Sequence, residues 1–524
     1  MKEWIVHKAL TNAAAKYPDK PFVLYQNERI TFKELDEISD RLATALLEEG
    51  FTKGDNLAIL ALNQLEWLYT YFAAAKIGVG VVALNARYRE AELDYMLNNS
   101  KSKGIVSISQ HQGFDFSEFF QRFRDKMPTV EKYIFIGKGF EGSLSFSDLV
   151  QHSVDKSRLD SCKKKVKEND TAIVIYTSGT TGKPKGTMIT NRSILESANA
   201  QANHLSITEK DCTVGSLPLN HVGGITCAVH ALLLKFGSIV LIPEFIPETV
   251  LQVIDQVKPT IFGGVPTMYL MLCNHKDIDQ YDLNSIKIGI VGGSNVDPSQ
   301  CEMIALHFPN AKIINLYGLS ESSGACILTK LTDSLKRVQE SIGVPIGDFK
   351  IKIVDTEQKE LPYGEVGEIA VKGNFRAKGY FDLAEETKLT FSEDGWLYTG
   401  DIGYLDHEGY VFLKGRKKEM YIQGGYNVYP VEVESVLMSH PKVSFAAGIG
   451  VPDSFLGEVG LYYIIPKDGA TLSEDELKFF CKQHLADYKV PRQIVFVKNL
   501  PQTPAGKIQK SKLKEQYLKQ LPSK

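Results

Sequence analysis

The stretch Tyr176-Thr-Ser-Gly-Thr-Thr-Gly-Lys-Pro-Lys-Gly186 determines how the fold of this 524-residue chain is predicted. It follows a short apolar run, residues 172–175, that predicts a buried strand because it is brief, partly β-branched and bounded by turn formers. Glycines let backbone N–H groups approach a phosphate closely, hydroxyls add donors and lysines add positive charge. The stretch therefore predicts a loop that binds a polyphosphate, and not an ordinary flexible surface loop.

A Walker-type phosphate loop is the main alternative, and the spacing of the glycines and lysines argues against it. That motif requires two glycines separated by four residues, then Lys and Ser or Thr, with a helix starting at once. Here Gly179 and Gly182 are too close together. Pro184 follows Lys183 where a metal-binding hydroxyl would be needed. The sequence indicates a different kind of phosphate loop.

Composition and charge limit the class of protein. The length predicts two or more domains, and 43% hydrophobic with 23% charged residues is typical of a soluble globular protein. A net charge of −3 gives no basic footprint for a nucleic acid. Seven scattered cysteines without a C-x-x-C pair indicate a reducing compartment and no zinc site. The first residues lack the apolar segment of a signal peptide, so we expect a cytoplasmic location.

Two further properties stay open at this stage. The basic run at residues 163–167 predicts a solvated linker, with weak peripheral contact to a membrane surface as the alternative. The oligomeric state, monomer or homodimer, cannot be predicted from the sequence.

The order of predicted elements indicates an α/β protein. Thr31 and Glu34 form a plausible capping box at the start of a helix, and strands at 56–61 and 79–85 flank a helix at 67–77. This alternation predicts a mostly parallel, doubly wound sheet over about 1–170, and a second such unit over 171–340. Short strands between Gly and Pro turns predict a small β-barrel-like subdomain at 341–415. Residues 421–524 predict a compact α+β unit.

The phosphate-loop stretch resembles the signature of the adenylate-forming superfamily, which includes acyl-CoA synthetases, adenylation domains of peptide synthetases and beetle luciferases. The resemblance covers nearly the whole chain, through about six motifs in the right order. It implies a large N-terminal adenylation domain (1–415), a hinge (416–420) and a small mobile C-terminal domain (421–524). It implies that the ATP phosphates are bound by Thr177, Ser178, Gly179, Thr180, Thr181, Gly182 and Lys185, with Thr177 also near the metal.

Other motifs extend the resemblance to the rest of the nucleotide. Residues Gly292, Gly293 and Ser294 would face the adenine, at the end of a predicted strand where ligands bind in open α/β sheets. In Asn315-Leu-Tyr-Gly-Leu-Ser-Glu321, with Ser320 in place of the usual threonine, the implied nucleotide-binding residues are Asn315, Leu316, Tyr317, Gly318 and Ser320. Glu321 would hold Mg²⁺. Asp401 would bind the ribose diol, and Arg416 would contact ribose or phosphate.

The remaining motifs concern catalysis and domain movement. His221 matches a family histidine near the acyl carboxylate, although Asn220 stands where an aromatic residue is common. Lys507 matches the catalytic lysine near the end of the chain. Lys418 would be the hinge residue, and Glu419 replaces the usual aspartate beside it. A face with Gly424 and Gly425 would open the route for coenzyme A.

The resemblance implies an ATP-dependent acyl-CoA synthetase that uses Mg²⁺ and coenzyme A and passes through an acyl-adenylate. Amino-acid-activating relatives place an aspartate in the substrate pocket, and residues 220–227 contain no carboxylate, which favours a medium- or long-chain fatty acid. The alternatives are a CoA ligase for an aromatic or other small acid, a ligase that loads a carrier protein, and a luciferase-like oxygenase. A non-catalytic nucleotide-binding protein is the alternative from another class.

Overall fold

The computed structural model describes residues 3–177, 183–293, 298–502 and 508–520. In this part of the chain, no helix is both long enough and apolar enough to cross a membrane.

The first 170 residues alternate helices and short strands. The helices are α1 (Val6–Lys16), α2 (Phe32–Glu48), α3 (Leu65–Ile77), α4 (Glu90–Asn99), α5 (Phe116–Phe123), α6 (Phe146–Leu149) and α7 (Lys156–Lys165). The strands are β1 (Pro21–Tyr25), β2 (Glu28–Thr31), β3 (Asn56–Leu60), β4 (Gly80–Leu84), β5 (Ser102–Ile108), β6 (Gln110–His111), β7 (Phe114–Asp115), β8 (Lys132–Ile136) and β9 (Leu144–Ser145). The predicted capping box at α2 is confirmed: Thr31 Oγ1 accepts from the Glu34 N–H at 3.1 Å, and the Glu34 carboxylate accepts from the Thr31 N–H at 2.8 Å.

The next segment contains the predicted phosphate-loop strand. Its strands are β10 (Thr171–Thr177), β11 (Lys185–Thr190), β12 (Cys212–Gly215), β13 (Ser238–Leu241), β14 (Ile261–Gly264), β15 (Ile288–Gly292), β16 (Lys312–Leu319), β17 (Gly324–Leu328) and β18 (Val344–Pro345). Its helices are α8 (Asn191–His204), α9 (Val222–Gly224), α10 (Ala231–Leu234), α11 (Pro247–Val257), α12 (Pro266–Cys273), α13 (Pro298–His307) and α14 (Leu335–Glu340). A π-helix (Ile225–His230) joins α9 to α10.

The last third is richer in antiparallel strands. It contains β19 (Lys350–Val354), β20 (Gly367–Lys372), β21 (Gly379–Tyr380), α15 (Ala384–Thr390), β22 (Trp396–Leu405) and β23 (Val411–Arg416). Then follow β24 (Tyr421–Gln423), β25 (Tyr426–Val428), α16 (Pro430–Ser439), β26 (Val443–Asp453), β27 (Gly457–Pro466), α17 (Glu474–His484), β28 (Gln493–Phe496) and α18 (Lys510–Gln520).

Two large mixed sheets form the α/β part, in the strand orders β21-β11-β10-β4-β3-β5-β8-β9 and β18-β17-β16-β15-β14-β12-β13-β1-β2. Strands β19, β20, β22 and β23 form a separate antiparallel sheet. The mixed α/β class, with a large N-terminal part and a small C-terminal one, is confirmed.

The predicted division near residue 170 does not follow the strand pairing. Strand β10 pairs in parallel with β4, so the strand before the phosphate loop belongs to the first sheet. Strand β1 pairs with β13 and completes the second sheet. A local sequence pattern predicts that a strand exists, but its partner is decided by packing between distant segments.

The basic run at 163–167 begins inside α7 and not in a linker. Lys163 Nζ lies 2.7 Å from Asp40 Oδ1, and the same carboxylate oxygen lies 2.6 Å from the buried Lys76 Nζ. Lys164 and Lys165 are exposed. The first lysine of the run therefore pairs with the partly buried Asp40 carboxylate, which it shares with the buried Lys76.

The C-terminal part has its own hydrophobic cores. One is formed by residues between Tyr421 and Ile494, and the other by residues between Ala447 and Leu513. The main core of the chain ends at Val411. The segment after 420 therefore packs as a unit, as the α+β prediction requires.

Candidate active site

The predicted phosphate loop connects two neighbouring antiparallel strands. Thr177 at the end of β10 pairs with Lys185 at the start of β11. A Walker loop would be followed by a helix, whereas Lys185 opens a strand, so the structure agrees with a different phosphate loop. The Lys185 ammonium lies 5.0 Å from the centre of the Tyr380 ring, which is within the range of a cation–π contact.

Tyr380 also holds the predicted metal ligand. Its hydroxyl donates to Glu321 Oε1 at 2.8 Å, and the Ala377 N–H donates to the Glu321 carbonyl at 2.8 Å. Burial and the Glu321 charge raise the pKa of Tyr380, so the phenol keeps its proton and acts as a donor. Tyr380 therefore contacts Lys185 with its ring and Glu321 with its hydroxyl group.

Asp401 is the centre of a second group. It accepts from the Tyr317 hydroxyl at 2.6 Å, and its Oδ1 lies 3.1 Å from Arg416 Nε. Asp401 and Arg416 are paired in register on β22 and β23, while Tyr317 lies on β16 of the second α/β sheet. The contact joins the small β sheet to the α/β part, and the Asp401 side chain is only 3% exposed.

The electrostatics of Arg416 link the two groups. Burial lowers the pKa of Arg416, whereas the charges of Asp401, Glu419 and Glu321 raise it, and the net shift is upward. The Arg416 side chain is nevertheless 42% exposed. Arg416 is therefore a permanent cation that pairs with Asp401, interacts with the charges of Glu419 and Glu321, and can be reached by solvent and ligands.

Glycines allow backbone groups to approach closely at the ends of two adjacent strands. Gly292 on β15 pairs with Leu316 on β16, and a Cβ at Gly292 would lie 2.9 Å from the Leu316 carbonyl oxygen. A Cβ at Gly318 would lie 2.3 Å from the Gly324 carbonyl oxygen. Gly293 has a φ of +86°. These positions bring the predicted adenine-facing residues and the Tyr317 motif to one edge of the second sheet.

Two residues of the same motif, Asn315 and Ser320, are enclosed by other parts of the protein. The Asn315 amide donates to the Ser341 carbonyl at 3.1 Å, and the Asn315 N–H donates to Thr329 Oγ1 at 2.9 Å. Ser320 is buried. The Asn315 side-chain NH₂ group therefore joins β16 to the segment that ends at Ser341, and its predicted contact with the nucleotide stays a prediction.

His221 caps a short helix beside an accessible strip. Its Nδ1 accepts from the Gly223 N–H at 3.1 Å, at the start of α9. In the following segment up to His230, Gly223 and Cys227 are partly accessible while the other residues are buried. A turn of a π-helix contains about one more residue than a turn of an α-helix, and such segments often occur at functional sites. Beside His221, the partly accessible Gly223 and Cys227 thus form a wall without carboxylates, lysines or arginines.

The predicted hinge lies between two fixed segments. Lys418 itself is exposed. Before it, Lys417 Nζ lies 3.1 Å from Glu368 Oε2, and the Lys417 N–H donates to the Gly400 carbonyl at 2.9 Å. After it, Glu419 Oε2 lies 2.9 Å from Lys510 Nζ.

Gly424 and Gly425 form the turn between β24 and β25. Their φ values are +59° and +88°, and the flanking Gln423 and Tyr426 are paired. A two-residue type I′ hairpin turn requires positive φ at both of its central residues, which explains the two glycines.

Seven of the predicted site residues lie outside the described residues. They are Ser178, Gly179, Thr180, Thr181, Gly182, Ser294 and Lys507. Their roles stay predictions.

Three residues of the neighbourhood were not predicted from the sequence: Tyr380, Glu368 and Lys510. Tyr380 follows a glycine whose φ of +137° marks a special turn, and this Gly-Tyr pair was the available signal. Glu368 and Lys510 look like ordinary strand and tail residues, so no local signal could have identified them.

Within the ranges that the structure describes, no three His, Cys, Asp or Glu side chains are placed to hold a metal ion. Magnesium at a nucleotide site usually needs only one or two carboxylates, because phosphates and waters supply the other ligands. Glu321 fits that limited requirement.

The chain matches two family models in sequence order. The model described as AMP-binding enzyme matches residues 10–381, and the one described as AMP-binding enzyme C-terminal domain matches residues 432–507. A long-chain-fatty-acid–CoA ligase of Bacillus subtilis (strain 168) is 34% identical over 97% of this chain and 93% of its own length. The mitochondrial medium-chain acyl-CoA ligase ACSF2 of Mus musculus is 31% identical over 98% and 87%.

Solved structures give the same relationship. The anthranilate CoA ligase AuaEII in complex with anthranoyl-AMP has a TM-score of 0.88 at 28% identity, covering 97% of this chain and 96% of its own. ATP-bound MatB from Rhodopseudomonas palustris has a TM-score of 0.86 at 27% identity, covering 98% and 99%. The apo form of MatB, at the same identity and coverage, has a TM-score of only 0.76. The chain therefore belongs to the AMP-binding enzyme family and is an adenylate-forming acid–thiol ligase.

Proposed function

We propose that this protein is an ATP-dependent fatty acyl-CoA synthetase that acts on medium- or long-chain acids through an acyl-adenylate. The observation that supports it most strongly is the convergence of Asp401, Tyr317 and Arg416 with the Lys185–Tyr380–Glu321 group around one site. We also propose residues 1–415 as the adenylation domain, 416–420 as the hinge and 421–524 as the mobile domain.

The site offers suitable partners for each part of ATP. Asp401 is a carboxylate oriented by the Tyr317 hydroxyl and Arg416, and a carboxylate can accept hydrogen bonds from a ribose diol. Lys185 and Arg416 supply positive charge for the phosphates. Gly292 and Gly318 let neighbouring backbone segments approach closely, and the base would lie against the edge of the sheet that they form.

Magnesium fits the same site. Tyr380 fixes one oxygen of the Glu321 carboxylate, which leaves Oε2 as the oxygen that would take the cation. Thr177 at the end of β10 would be its neighbour. When bound, Mg²⁺ would supply positive charge to the phosphates of ATP.

The first half-reaction needs positioning more than proton transfer. A carboxylate is already ionised near pH 7 and can attack the α-phosphorus of ATP. A new P–O bond forms to the acid, and the bond to the leaving pyrophosphate breaks. Preorganised cations facing the developing charge lower the barrier, and we assign this role to Lys507, Lys185 and Arg416.

In the second half-reaction the coenzyme A thiol attacks the adenylate carbonyl. A C–S bond forms, the C–O bond to AMP breaks, and the thiol proton is lost. Lys507 and the Gly424–Gly425 turn are both in the C-terminal part. We propose that rotation at Lys418 brings Lys507 to the site for the first step and the Gly424–Gly425 turn for the second. The higher TM-score to ATP-bound MatB than to apo MatB supports a domain arrangement like that of the adenylate-forming step.

Replacing Lys418 by proline tests this exchange. Proline fixes φ near −65° and restricts the preceding residue, so Lys418→Pro should hinder rotation and slow the two half-reactions unequally, with a difference of about tenfold or more. Pyrophosphate exchange measures the first step, and thioester formation from supplied acyl-adenylate measures the second. Lys418→Ala removes the same side chain but keeps the backbone free. Equal slowing of both steps by Lys418→Pro would contradict domain alternation.

The wall beside His221 supports an apolar acid. Its accessible positions, Gly223 and Cys227, are small and uncharged, and no carboxylate stands between Leu219 and His230 to hold an ammonium group. Burial raises the pKa of the Cys227 thiol to about 12, so this side chain stays neutral at pH 7. An alkyl chain would meet no charge along this wall.

Replacing Cys227 by a larger residue should shift the substrate preference toward acids with shorter chains. Phenylalanine at this position fills space along the wall, so Cys227→Phe should lower kcat/KM for hexadecanoate by about tenfold or more while butyrate loses far less. Cys227→Ala is the matched control, because it removes the thiol and enlarges the space. If Cys227→Phe changes all chain lengths by the same factor, Cys227 does not line the acyl site.

The substrate class is tested by measuring kcat/KM for thioester formation with a panel of acids. The panel runs from acetate to octadecanoate and includes benzoate, anthranilate and malonate. The proposal predicts a maximum among straight-chain acids of medium or long length. If kcat/KM is highest for an aromatic acid, the substrate is an aromatic acid and not a fatty acid. Exchange of pyrophosphate without any response to coenzyme A would instead favour a ligase that loads a carrier protein.

A further inference from the structure

A buried group of three charges lies immediately after the hinge. Lys510 Nζ is 2.9 Å from Glu419 Oε2 and 2.7 Å from Glu434 Oε1. Glu434 Oε1 also accepts from the Gly448 N–H at 2.6 Å. The side chains of Lys510 and Glu434 are 17% and 8% exposed. We call Glu419, Glu434 and Lys510 the charge triad.

Within the triad, Lys510 and Glu419 are shifted toward their charged forms, whereas burial raises the pKa of Glu434 although Lys510 and the Gly448 N–H lower it. Burial lowers the pKa of Lys510, but Glu434 and Glu419 raise it more, and the net shift is upward. For Glu419, burial raises the pKa while Lys510 lowers it, and the net shift is downward. A buried cation keeps its place only while its partners satisfy it, so the triad fixes the geometry of the three segments that supply it.

The segments that the triad joins have different roles. Glu419 is the residue after the exposed Lys418, Glu434 lies on α16 and Lys510 begins α18. Directly before Lys510, the Gln509 N–H donates to the Pro501 carbonyl at 2.8 Å, and Gln502 pairs with Ile508. These contacts hold Gln502 and Ile508 next to each other, and Lys507 is the residue before Ile508 in the sequence. The triad therefore connects the residue after the hinge to the described residues that follow Lys507.

The other side of Lys418 is fixed just as firmly. Arg416 is held by Asp401, and Lys417 is held by Glu368, which also accepts from the Gly400 N–H at 3.0 Å. Across the exposed Lys418, the N–H groups of Glu419 and Met420 both donate to the Arg416 carbonyl at 3.0 Å. Rotation at Lys418 would therefore have to break this backbone turn, while the side-chain contacts on its two sides could move with their own parts.

We propose that Lys510, through Glu419 and Glu434, is a positioning residue that makes rotation at Lys418 and placement of Lys507 one rigid movement. This inference rests on the proposed two-step function. Lys510 touches neither substrate nor nucleotide in this account. Its loss would let the Lys507 segment turn independently of the hinge, and a displacement of about 1 Å at a catalytic group can cost about 100-fold in rate.

The test compares three variants of the full-length protein. In Lys510→Met the cation is lost, and pyrophosphate exchange with dodecanoate should fall about tenfold or more, while thioester formation from supplied dodecanoyl-adenylate stays within about threefold. Lys510→Arg keeps the charge and should retain most of the exchange. Lys510→Met combined with Glu434→Gln also removes the buried unpaired carboxylate. This double variant should recover thermal stability and still lack exchange, which separates positioning from folding.

Tryptic cleavage in the hinge gives a readout that does not depend on activity. Trypsin cuts after Arg416, Lys417 and Lys418, and cutting there should be several-fold faster in Lys510→Met than in the wild type, because one side of the hinge has lost its anchor. Equal loss of both half-reactions in the double variant, or exchange within about threefold of wild type in Lys510→Met, overturns the inference. If the wild-type protein shows no exchange with any acid, the proposed function fails. The connection between Lys510 and the hinge is tested separately: it is refuted if trypsin cleaves Lys510→Met at the same rate as the wild type.

Discussion

Replacing Lys507 by alanine should lower acid-dependent pyrophosphate exchange by about 100- to 1,000-fold, the usual effect of removing one preorganised donor from a developing charge. Thioester formation from supplied acyl-adenylate should change far less, because in the proposed domain alternation the Gly424–Gly425 face takes the place of the lysine in that step. The measurement is the rate of each half-reaction with the same acid.

Lys512→Ala is the matched control for this variant. Lys512 is an exposed lysine on α18, five residues after Lys507, and the substitution removes the same charge from the same part of the chain. It should leave exchange unchanged. A Lys507→Ala variant that exchanges pyrophosphate as fast as Lys512→Ala would remove Lys507 from the catalytic account.

Replacing Asp401 by asparagine should weaken the binding of ATP by about 10- to 100-fold, because hydrogen bonds to a charged group contribute about 1.5–3 kcal/mol. The substitution keeps the shape of the side chain but removes the charge that Arg416 and the Tyr317 hydroxyl share. A titration with ATP, in the absence of the acid, measures this loss directly. Tyr317→Phe removes only one of the two hydrogen bonds and should have a smaller effect in the same direction.

Asp406→Asn provides the control for the Asp401 variant. Asp406 follows β22 and pairs with Arg337 at 3.4 Å, so it is also an aspartate with an arginine partner near the same sheet. Its substitution should leave ATP binding unchanged. Equal weakening by Asp401→Asn and Asp406→Asn would show that the effect comes from the stability of the sheet and not from contact with the nucleotide.

Local features of this protein could be predicted from the sequence. The Thr31–Glu34 capping box and the buried strand before the phosphate loop depend on residues a few positions apart, and both are present. Gly292 and Tyr317, which come from two separate predicted motifs, lie on the neighbouring strands β15 and β16.

Contacts between distant residues could not be predicted in the same way. The Tyr380 hydroxyl reaches Glu321 across 59 residues, and Lys510 reaches Glu419 across 91. The local sequence does not reveal these pairings, and only the packing of separate segments brings the partners together. The same reason explains why β10 was assigned to the second α/β unit, whereas its parallel partner is β4 of the first sheet.

The central claim is that the chain forms an acyl-adenylate before coenzyme A takes part. The most direct test is the exchange of labelled pyrophosphate into ATP, measured with and without dodecanoate in the absence of coenzyme A, followed by AMP release when coenzyme A is added. The account predicts exchange that requires the acid but not coenzyme A, and AMP release in proportion to the thioester formed. Absence of exchange with every acid of the panel, or AMP release that is independent of the acid, would contradict it.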